Sequence, residues 1–365
     1  MENNNTLGLI ILDNIKDFGK KVTDNLNVIR RDTVDYQIPI IETRFNNGEG
    51  KLKITRSVRD KDIFILTDVG NYSCTYKMFD FINHFGPDEH FQDTKRVIEA
   101  IKGQANSITL VMPLLYNSRQ HKRKGRESLD CAVALRELEA MGIKNIITFD
   151  AHDPNVQNAI PLCSFENVFP TVSILKDFIA HEEIDYTNTL IISPDTGAMD
   201  RTLYYADMLK CNVGIFSKRR DLTKIVNGKN PIVAHEYIGK DINNEVTIVV
   251  DDMIASGDSI LDVAKELKKR GASKVYLIAT YSLFTMGYQK FDEAYQNGLF
   301  DKIYTTNLSY IPQEIANKPW ISIVDCSYFL ANIINNINNH QSISQLLNGK
   351  EEIIEAVKQK VLTRY

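Results

Sequence analysis

Cysteine is scarce in this sequence and shows no paired spacing. The 365 residues contain five cysteines and no CxxC pair. The five are Cys74, Cys131, Cys163, Cys211 and Cys326. An odd, scattered set argues against a disulfide framework and against a cysteine-based structural zinc site. We therefore expect a reduced, cytoplasmic protein.

Long apolar runs and a basic charge excess are also missing. No run approaches the ~20 apolar residues that a membrane-spanning helix needs. The apolar stretch LGLIIL, Leu7–Leu12, is short for a secretory signal and follows no basic segment. The formal net charge is −4, so no overall basic field favours nucleic acid or a membrane surface. We expect neither as a partner.

The sequence does contain a regular alternation of short apolar runs and helical patterns. At 365 residues the chain is long for one core, so two domains are expected. The alternation predicts an α/β fold with mostly parallel sheets flanked by helices, in which ligands bind at the carboxyl ends of strands. The predicted strands are Ile63–Leu66, Ile108–Met112, Asn145–Phe149, Thr189–Ser193, Val213–Phe216, Val246–Val250 and Val275–Thr280.

Two segments of the chain resemble each other. When Gly142 is laid on Gly271, Leu138 falls on Leu267, and both segments give a helix, a glycine C-cap and a strand. An old duplication and two convergent helix–strand units both account for this, and both predict two similar α/β domains. We place the domains at residues 1–168 and 169–365, the latter with a C-terminal pair of short helices.

The stretch VTIVVDDMIASGDS places two adjacent carboxylates before a loop of small residues. We expect Asp251 and Asp252 just past a strand end, with side chains that splay to bind different hydroxyls of one sugar. In the loop Ala255–Ser259, polar residues can cap a helix that starts near Ile260, whose free amides would bind an anion. This pattern suits a ribose 5-phosphate. A capped helix with two solvated aspartates is the alternative.

Three further groups of polar residues follow predicted strands. Asp150 and His152 come after NIITF and suit a divalent cation, although a lone histidine is more often structural and Mg²⁺ prefers oxygen ligands. The basic run SRQHKRKGRE can be a nucleic-acid patch, a solvated face or a triphosphate site. Lys218 and Arg220, on a loop after VGIF, suit transfer chemistry on a polyphosphate, unless they belong to a basic surface loop.

The stretch VDDMIASGDS resembles the signature VDDMIDTAGT of ribose-phosphate diphosphokinases (PRPP synthetases) and, less closely, of phosphoribosyltransferases. Six more segments resemble the former family, in the same order and with comparable spacing. They are RFNNGE (family RFSDGE), SRQHKRKGRE (ARQDRK), FDAHDPNVQN (DLHAPQIQG), SPDTGAMDR (SPDxGGVxR), FSKRR (DKRR) and SISQLL (SVSxLF).

This resemblance implies a fold, an activity and a cofactor. It implies two phosphoribosyltransferase-like domains, each a mostly parallel sheet flanked by helices. It implies transfer of the diphosphoryl group of MgATP to the anomeric hydroxyl of ribose 5-phosphate, which gives PRPP and AMP. Mg²⁺ is the implied cofactor, and a homo-oligomer, dimer-based or hexameric, is the implied assembly.

The resemblance also assigns roles to individual residues. The implied ATP-binding residues are Phe45, Asn47, Glu49, Arg119 and Gln120. The implied metal-linked residues are Asp150, His152 and Asp195, and the catalytic residues are Lys218 and Arg220. The implied ribose 5-phosphate residues are Asp251, Asp252, Ser256, Gly257, Asp258 and Ser259.

Several positions depart from the family pattern and keep two alternatives open. Asn47, His121 and Ala255 each replace an aspartate, and the segment Ala159–Ser164 lacks the family's further acidic residues. A phosphoribosyltransferase, or a catalytically silent regulatory subunit, would share part of the pattern. The retained aspartates and basic residues favour an active enzyme, and formation of AMP and PRPP would distinguish the three.

Overall fold

The structure is a computed structural model that describes the backbone of residues 6–101, 103–220 and 232–362. Within these ranges it describes the side chains except those of residues 218–220, 232–235 and 361–362. The chain divides into two compact units. The first extends to Pro170 and includes Asn307–Tyr310 and Asp325–Asn348; the second starts at Thr171 and includes Ile311–Val324 and the chain from Gly349.

The bounds of the elements in the described residues follow in chain order. The strands are β1 (Leu7–Ile11), β2 (Ile40–Arg44), β3 (Gly50–Ile54), β4 (Asp62–Leu66), β5 (Thr75–Met78), β6 (Phe81–His84), β7 (Ser107–Val111), β8 (Asn145–Phe149), β9 (Ser164–Val168), β10 (Thr189–Ser193), β11 (Asn212–Arg220), β12 (Ile232–Ile238), β13 (Val246–Ile254), β14 (Lys274–Ser282), β15 (Lys302–Thr306) and β16 (Ile321–Val324). The helices are α1 (Lys16–Arg30), α2 (Pro87–Ile101), α3 (Asp130–Ala140), α4 (Thr171–His181), α5 (Met199–Leu209), α6 (Asp258–Lys269), α7 (Gln289–Gln296), α8 (Gln313–Ala316), α9 (Ser327–Asn338), α10 (Ser344–Leu347) and α11 (Lys350–Leu362).

The first unit is built on a parallel sheet with strand order β1-β4-β7-β8-β9. Its central strands are almost continuously apolar because helices cover both faces of such a sheet. Ile63, Leu110 and Ile146 are fully buried in its core. Two antiparallel hairpins, β2–β3 and β5–β6, lie outside this sheet. Helix α9, near the C-terminus, belongs to this unit, whereas the sequence interpretation assigns it to the second domain.

The second unit is built on a seven-stranded sheet with order β12-β11-β10-β13-β14-β15-β16. Every neighbouring pair is parallel except β11 and β12, which are antiparallel. Its core includes the fully buried rings of Phe291, Phe300 and Trp320. The β10 and β13 strands are adjacent, so the polar segments that follow their apolar cores reach the same edge of the sheet.

The predicted α/β class with mostly parallel sheets is confirmed, and each of the seven predicted strands coincides with or overlaps a strand. The repeated segments also share a backbone conformation. Gly142 and Gly271 have φ of 96° and 99°, and the next residue of each segment donates its N–H to the carbonyl of Leu138 or Leu267. This is a Schellman ending, which favours a glycine. Among the described residues, no helix combines the length and apolarity that membrane crossing requires.

Candidate active site

The paired aspartates lie inside a strand, not after one. β13 continues through Ile254 because β14 is equally long and pairs with it as far as Ser282. The prediction that the aspartates come just past the strand end is therefore wrong. Consecutive strand residues alternate between faces, but Asp251 Oδ1 accepts the Asp252 N–H at 2.9 Å, which keeps the Asp251 carboxylate beside its neighbour. Asp252 is 3% exposed and Asp251 is partly buried.

The electrostatics of this pair are unfavourable in the free protein. Burial, followed by the adjacent charge and hydrogen bond of Asp252, raises the pKa of Asp251 well above its ordinary range. Arg201 lowers that pKa and Asp195 raises it, by smaller amounts. The fold thus brings the segment after β10 within electrostatic reach of Asp251. Two desolvated carboxylates are stabilised when hydroxyl groups or cations bind to them.

Gly257 makes the turn from β13 into α6, and its lack of a side chain is required there. Its φ is +88°, and a Cβ at this position would lie 2.2 Å from Cζ of Phe291. Helix α6 starts at Asp258 with Gly257 as its N-cap, so the predicted side-chain capping of a helix near Ile260 is wrong. Because Leu261 N–H donates to Gly257 O, the amides of the first turn have no carbonyl partner within the helix and can bind an anion.

Asp258 contacts Ser256 and Lys290 at this helix end. Ser256 Oγ donates to its Oδ2 at 2.9 Å, and Lys290 Nζ of α7 donates to its Oδ1 at 2.5 Å. Lys290 is 29% exposed and was missed by the sequence interpretation. Lys290 lies in no recognisable motif. The packing of α7 against the loop places its ammonium group beside Asp258. Ser259 is exposed in the first turn of α6.

Asp195 sits directly after β10 in an extended conformation. Its Oδ1 accepts the Gly197 N–H at 2.9 Å, and Ser193 Oγ donates to its main-chain carbonyl at 2.7 Å. These bonds form the tight turn that leads into α5 at Met199. The carboxylate is therefore held at the carboxyl edge of the second sheet, as the sequence predicts.

In the first unit, Asp150 and His152 follow β8 on a tightly fixed turn. Asp150 is buried and has a left-handed φ of 44°. Its N–H donates to Val168 O at 2.8 Å, and the next N–H, of Ala151, donates to Asn167 Oδ1 at 2.9 Å. Asn167 thus fixes the turn from the neighbouring strand β9, a role that no motif indicates. Its Nδ2 is buried without a hydrogen-bond partner among the described residues.

His152 is exposed and its ring lies 5.1 Å from the ring of His121, centroid to centroid. Asp153 Oδ2 is 3.5 Å from His121 Nε2 and 3.4 Å from Lys122 Nζ. These contacts, with hydrogen bonds from Asn155, hold the pKa of Asp153 below its usual range despite partial burial. The basic run therefore meets the predicted metal segment, through a histidine that replaces the family's aspartate.

Arg119 and Gln120 lie in the loop between β7 and α3. Arg119 is exposed, whereas Gln120 is partly buried and donates from Nε2 to Ser128 O at 2.7 Å. This bond closes the loop upon itself. Gln120 therefore shapes the basic loop with its amide nitrogen, while Arg119 presents its charge to solvent.

Phe45, Asn47 and Glu49 form the turn of the β2–β3 hairpin. Phe45 is 47% exposed, so one face of its ring can stack on a base. Asn47 Nδ2 donates to Glu49 Oε2 at 3.0 Å, and the Glu49 N–H donates to Asn47 Oδ1 at 3.2 Å. Arg44 anchors the turn to helix α2 through Asp93, with 2.6 Å between Nη2 and Oδ2.

The backbone of Lys218 and Arg220 belongs to β11, antiparallel to β12, rather than to the loop that the sequence predicts. The strand continues because β12 returns beside it, with an irregularity between Arg219 and Arg220. The side chains of Lys218 and Arg220, on which the catalytic prediction depends, lie outside the described part of the chain.

The described side chains contain no group of three or more His, Cys, Asp or Glu residues arranged to hold a metal ion. Asp150 and His152 belong to the first unit and Asp195 to the second.

Two family models match this chain. The model described as the N-terminal domain of ribose phosphate pyrophosphokinase matches residues 7–142, and the phosphoribosyl synthetase-associated domain matches residues 214–348. The ribose-phosphate pyrophosphokinase of Mycoplasmopsis pulmonis is 28% identical over 84% of this chain and 87% of the relative. That of Chromobacterium violaceum is 27% identical over 85% and 87%.

A solved structure has the same fold. The phosphoribosylpyrophosphate synthetase from Mycobacterium smegmatis superposes with a TM-score of 0.76 at 20% identity, over 92% of this chain and 99% of that one. This likeness confirms the predicted phosphoribosyltransferase-like architecture. The two family models together span most of the sequence, and the chain belongs to the ribose-phosphate pyrophosphokinase family.

Proposed function

We propose that this protein is a ribose-phosphate diphosphokinase. It transfers the diphosphoryl group of ATP to the anomeric hydroxyl of ribose 5-phosphate, and the products are PRPP and AMP. The observation that carries this proposal is the buried carboxylate pair of β13, followed at once by the glycine-capped amino end of α6, in a chain of this family.

The second unit supplies the ribose 5-phosphate residues. Asp251 and Asp252 accept hydrogen bonds from ribose hydroxyls, which relieves the mutual repulsion of the two buried carboxylates. The 5-phosphate occupies the amino end of α6, with Ser256, Gly257 and Ser259 around it. The protein thereby fixes the orientation of the attacking hydroxyl, and such positioning accounts for much of the catalysis in phosphoryl transfer.

The first unit supplies the ATP residues. The exposed ring of Phe45 stacks on the base, and Asn47 and Glu49 present polar edges to it. Arg119 binds the phosphates, in a loop that Gln120 closes. Lys218 and Arg220 stabilise the charge that develops as the anomeric oxygen bonds to the β-phosphorus and AMP departs.

Mg²⁺ is the cofactor that we propose. The carboxylate of Asp195 fits Mg²⁺, which prefers oxygen ligands, and His152 and Asp150 fit it only as partners of a largely hydrated ion. Bound Mg²⁺ would neutralise phosphate charge. We further propose a cytoplasmic homo-oligomer, dimer-based or hexameric.

Phosphorus NMR of the protein with MgATP and ribose 5-phosphate tests this function. The expected result is the appearance of AMP and PRPP in equal amounts, with no reaction when either substrate is omitted. A phosphoribosyltransferase would instead consume PRPP in the presence of a base, and a silent subunit would leave ATP unchanged. Either of these outcomes would overturn the proposal.

A further inference from the structure

The amino end of α6 carries a negative charge where a phosphate is expected to bind. Asp258 is the first residue of the helix, and its side chain is 71% exposed. A carboxylate next to a dianionic phosphate is unfavourable unless an opposite charge compensates it. The amino end of α6 therefore needs a compensating cation if it is to bind the 5-phosphate.

Lys290 provides the opposite charge. Its Nζ lies 2.5 Å from Asp258 Oδ1, while Ser256 Oγ holds the other carboxylate oxygen at 2.9 Å. Lys290 is the more buried partner, at 29% exposure against 71%. The ammonium group is thus partly shielded from solvent, on the side where α7 packs, while the carboxylate stays exposed at the helix end.

The position of Lys290 is fixed by the packing around the loop. Its neighbour Phe291 is fully buried, and the space beside Gly257 is filled by the Phe291 ring. The segment that leads from β14 to α7 is bonded to the same loop, since Leu283 N–H donates to Ile254 O at 2.8 Å and Thr285 N–H donates to Ala255 O at 3.0 Å. Helix α7 and the loop therefore form one supported structure.

We propose that Lys290 is a positioning residue of the ribose 5-phosphate site, where it offsets the charge of Asp258 and allows the phosphate to reach the amides of α6. This inference rests on the proposed function. It assigns to Lys290 the task of compensating a carboxylate at the amino end of α6, and it predicts that the two residues act on substrate affinity through each other.

The test is a double-mutant cycle on the full-length protein. K290M is expected to raise the KM for ribose 5-phosphate about 10- to 100-fold and leave the KM for ATP within about twofold, because the Asp258 carboxylate then faces the phosphate without the Lys290 ammonium beside it. D258N, with the cation retained, is expected to match or lower the wild-type KM. The double variant K290M/D258N is expected to return to within about fivefold of wild type, since it carries neither charge.

A matched control comes from a second ion pair of the same unit. Lys318 Nζ lies 2.7 Å from Asp292 Oδ2 and is 26% exposed, similar to Lys290. K318M removes a cation of similar exposure from an ion pair that lies outside the Ala255–Ser259 loop. We expect K318M to leave the KM for ribose 5-phosphate within about twofold, whatever it does to thermal stability.

Calorimetric titration with ribose 5-phosphate separates this inference from the proposed function. If wild type forms no PRPP, the proposed function fails. The double-mutant cycle of Lys290 and Asp258 is then evaluated from the dissociation constants for ribose 5-phosphate instead of from KM values. An unchanged affinity in K290M would overturn the inference. A double variant as weak as K290M would also overturn it, because Lys290 would then act independently of Asp258. Absence of ribose 5-phosphate binding by wild type would overturn both proposals.

Discussion

Replacing Asp68 with asparagine should make the stability of the protein less dependent on pH. Asp68 is fully buried and accepts hydrogen bonds from Ser309 Oγ at 3.0 Å, Tyr310 N–H at 2.9 Å and Gly70 N–H at 2.9 Å. Burial outweighs these three bonds and raises the pKa of Asp68 from 3.8 to about 6. In the unfolded chain the pKa keeps its ordinary value.

The sign and size of the effect follow from this difference. Between pH 4 and pH 6 the folded protein holds a proton on Asp68 that the unfolded chain has lost, so wild-type stability falls as pH rises through this window. A shift of about two pKa units corresponds to about 3 kcal/mol over the whole window. D68N has no such proton, so its free energy of unfolding relative to wild type should rise by about 3 kcal/mol from pH 4 to pH 7.

Urea unfolding of both proteins at several pH values between 4 and 7 measures this difference. Asp325 offers a control of opposite sign, since Lys21, Ser327 and Asn307 lower its pKa to about 2 despite partial burial. Urea unfolding of D325N and wild type, extended down to pH 2, should therefore show D325N losing stability relative to wild type as pH rises from 2 to 4. A difference between D68N and wild type that is constant across pH, or that shrinks as pH rises, would refute the reasoning.

Three other changes test the candidate site. In G257A a Cβ would clash with Phe291, at a residue whose φ is positive. This variant should lower the free energy of unfolding by about 2–4 kcal/mol and abolish turnover. Unchanged stability in thermal unfolding would contradict the described turn. K218A should lower kcat by about 100-fold or more with the fold intact by circular dichroism, and near wild-type turnover would remove Lys218 from the mechanism. In N167L the Ala151 N–H loses its acceptor, which loosens the turn that carries His152. This variant should raise the Mg²⁺ and ATP concentrations needed for half-maximal activity about tenfold, without a matching change in the KM for ribose 5-phosphate. N167D keeps an acceptor for that N–H and should recover part of the loss.

The sheets could be predicted from the sequence because their strands are apolar and locally continuous. Buried parallel strands such as β8 and β10 have no polar interruption, so their bounds match the predictions. The β5–β6 hairpin could not be predicted in this way. Its residues are mostly exposed, and Phe79, at its turn, is 83% exposed, so burial imposes no alternating pattern on it.

The extent of β13 shows a different limit. Two adjacent aspartates normally indicate the end of a buried strand, since carboxylates are costly to desolvate. The strand continues here because β14 offers partners as far as Ser282, and no local feature of β13 reveals the length of its neighbour. A functional demand for buried carboxylates overrides the local rule at this position.

The residues that support the site could not be predicted either, because their contacts are with residues distant in the sequence. Lys290 lies 32 positions after its partner Asp258. Asn167 lies 16 positions after Ala151, whose N–H donates to its side-chain oxygen. Neither spacing has a local signature, because the contacts depend on how one element packs on another. The resemblance of motifs was enough to identify the residues near the strand ends. The side chains that hold those residues in place could be identified only from the structure.

The fate of the γ-phosphate of ATP tests the central claim most directly. With ATP labelled in that phosphate and ribose 5-phosphate as acceptor, the protein should release unlabelled AMP and place all transferred label in the diphosphate of PRPP, one label for each AMP formed. Release of ADP, with the label in a single phosphoryl group added to ribose 5-phosphate or in inorganic phosphate, would contradict the assignment of this chain as a ribose-phosphate diphosphokinase.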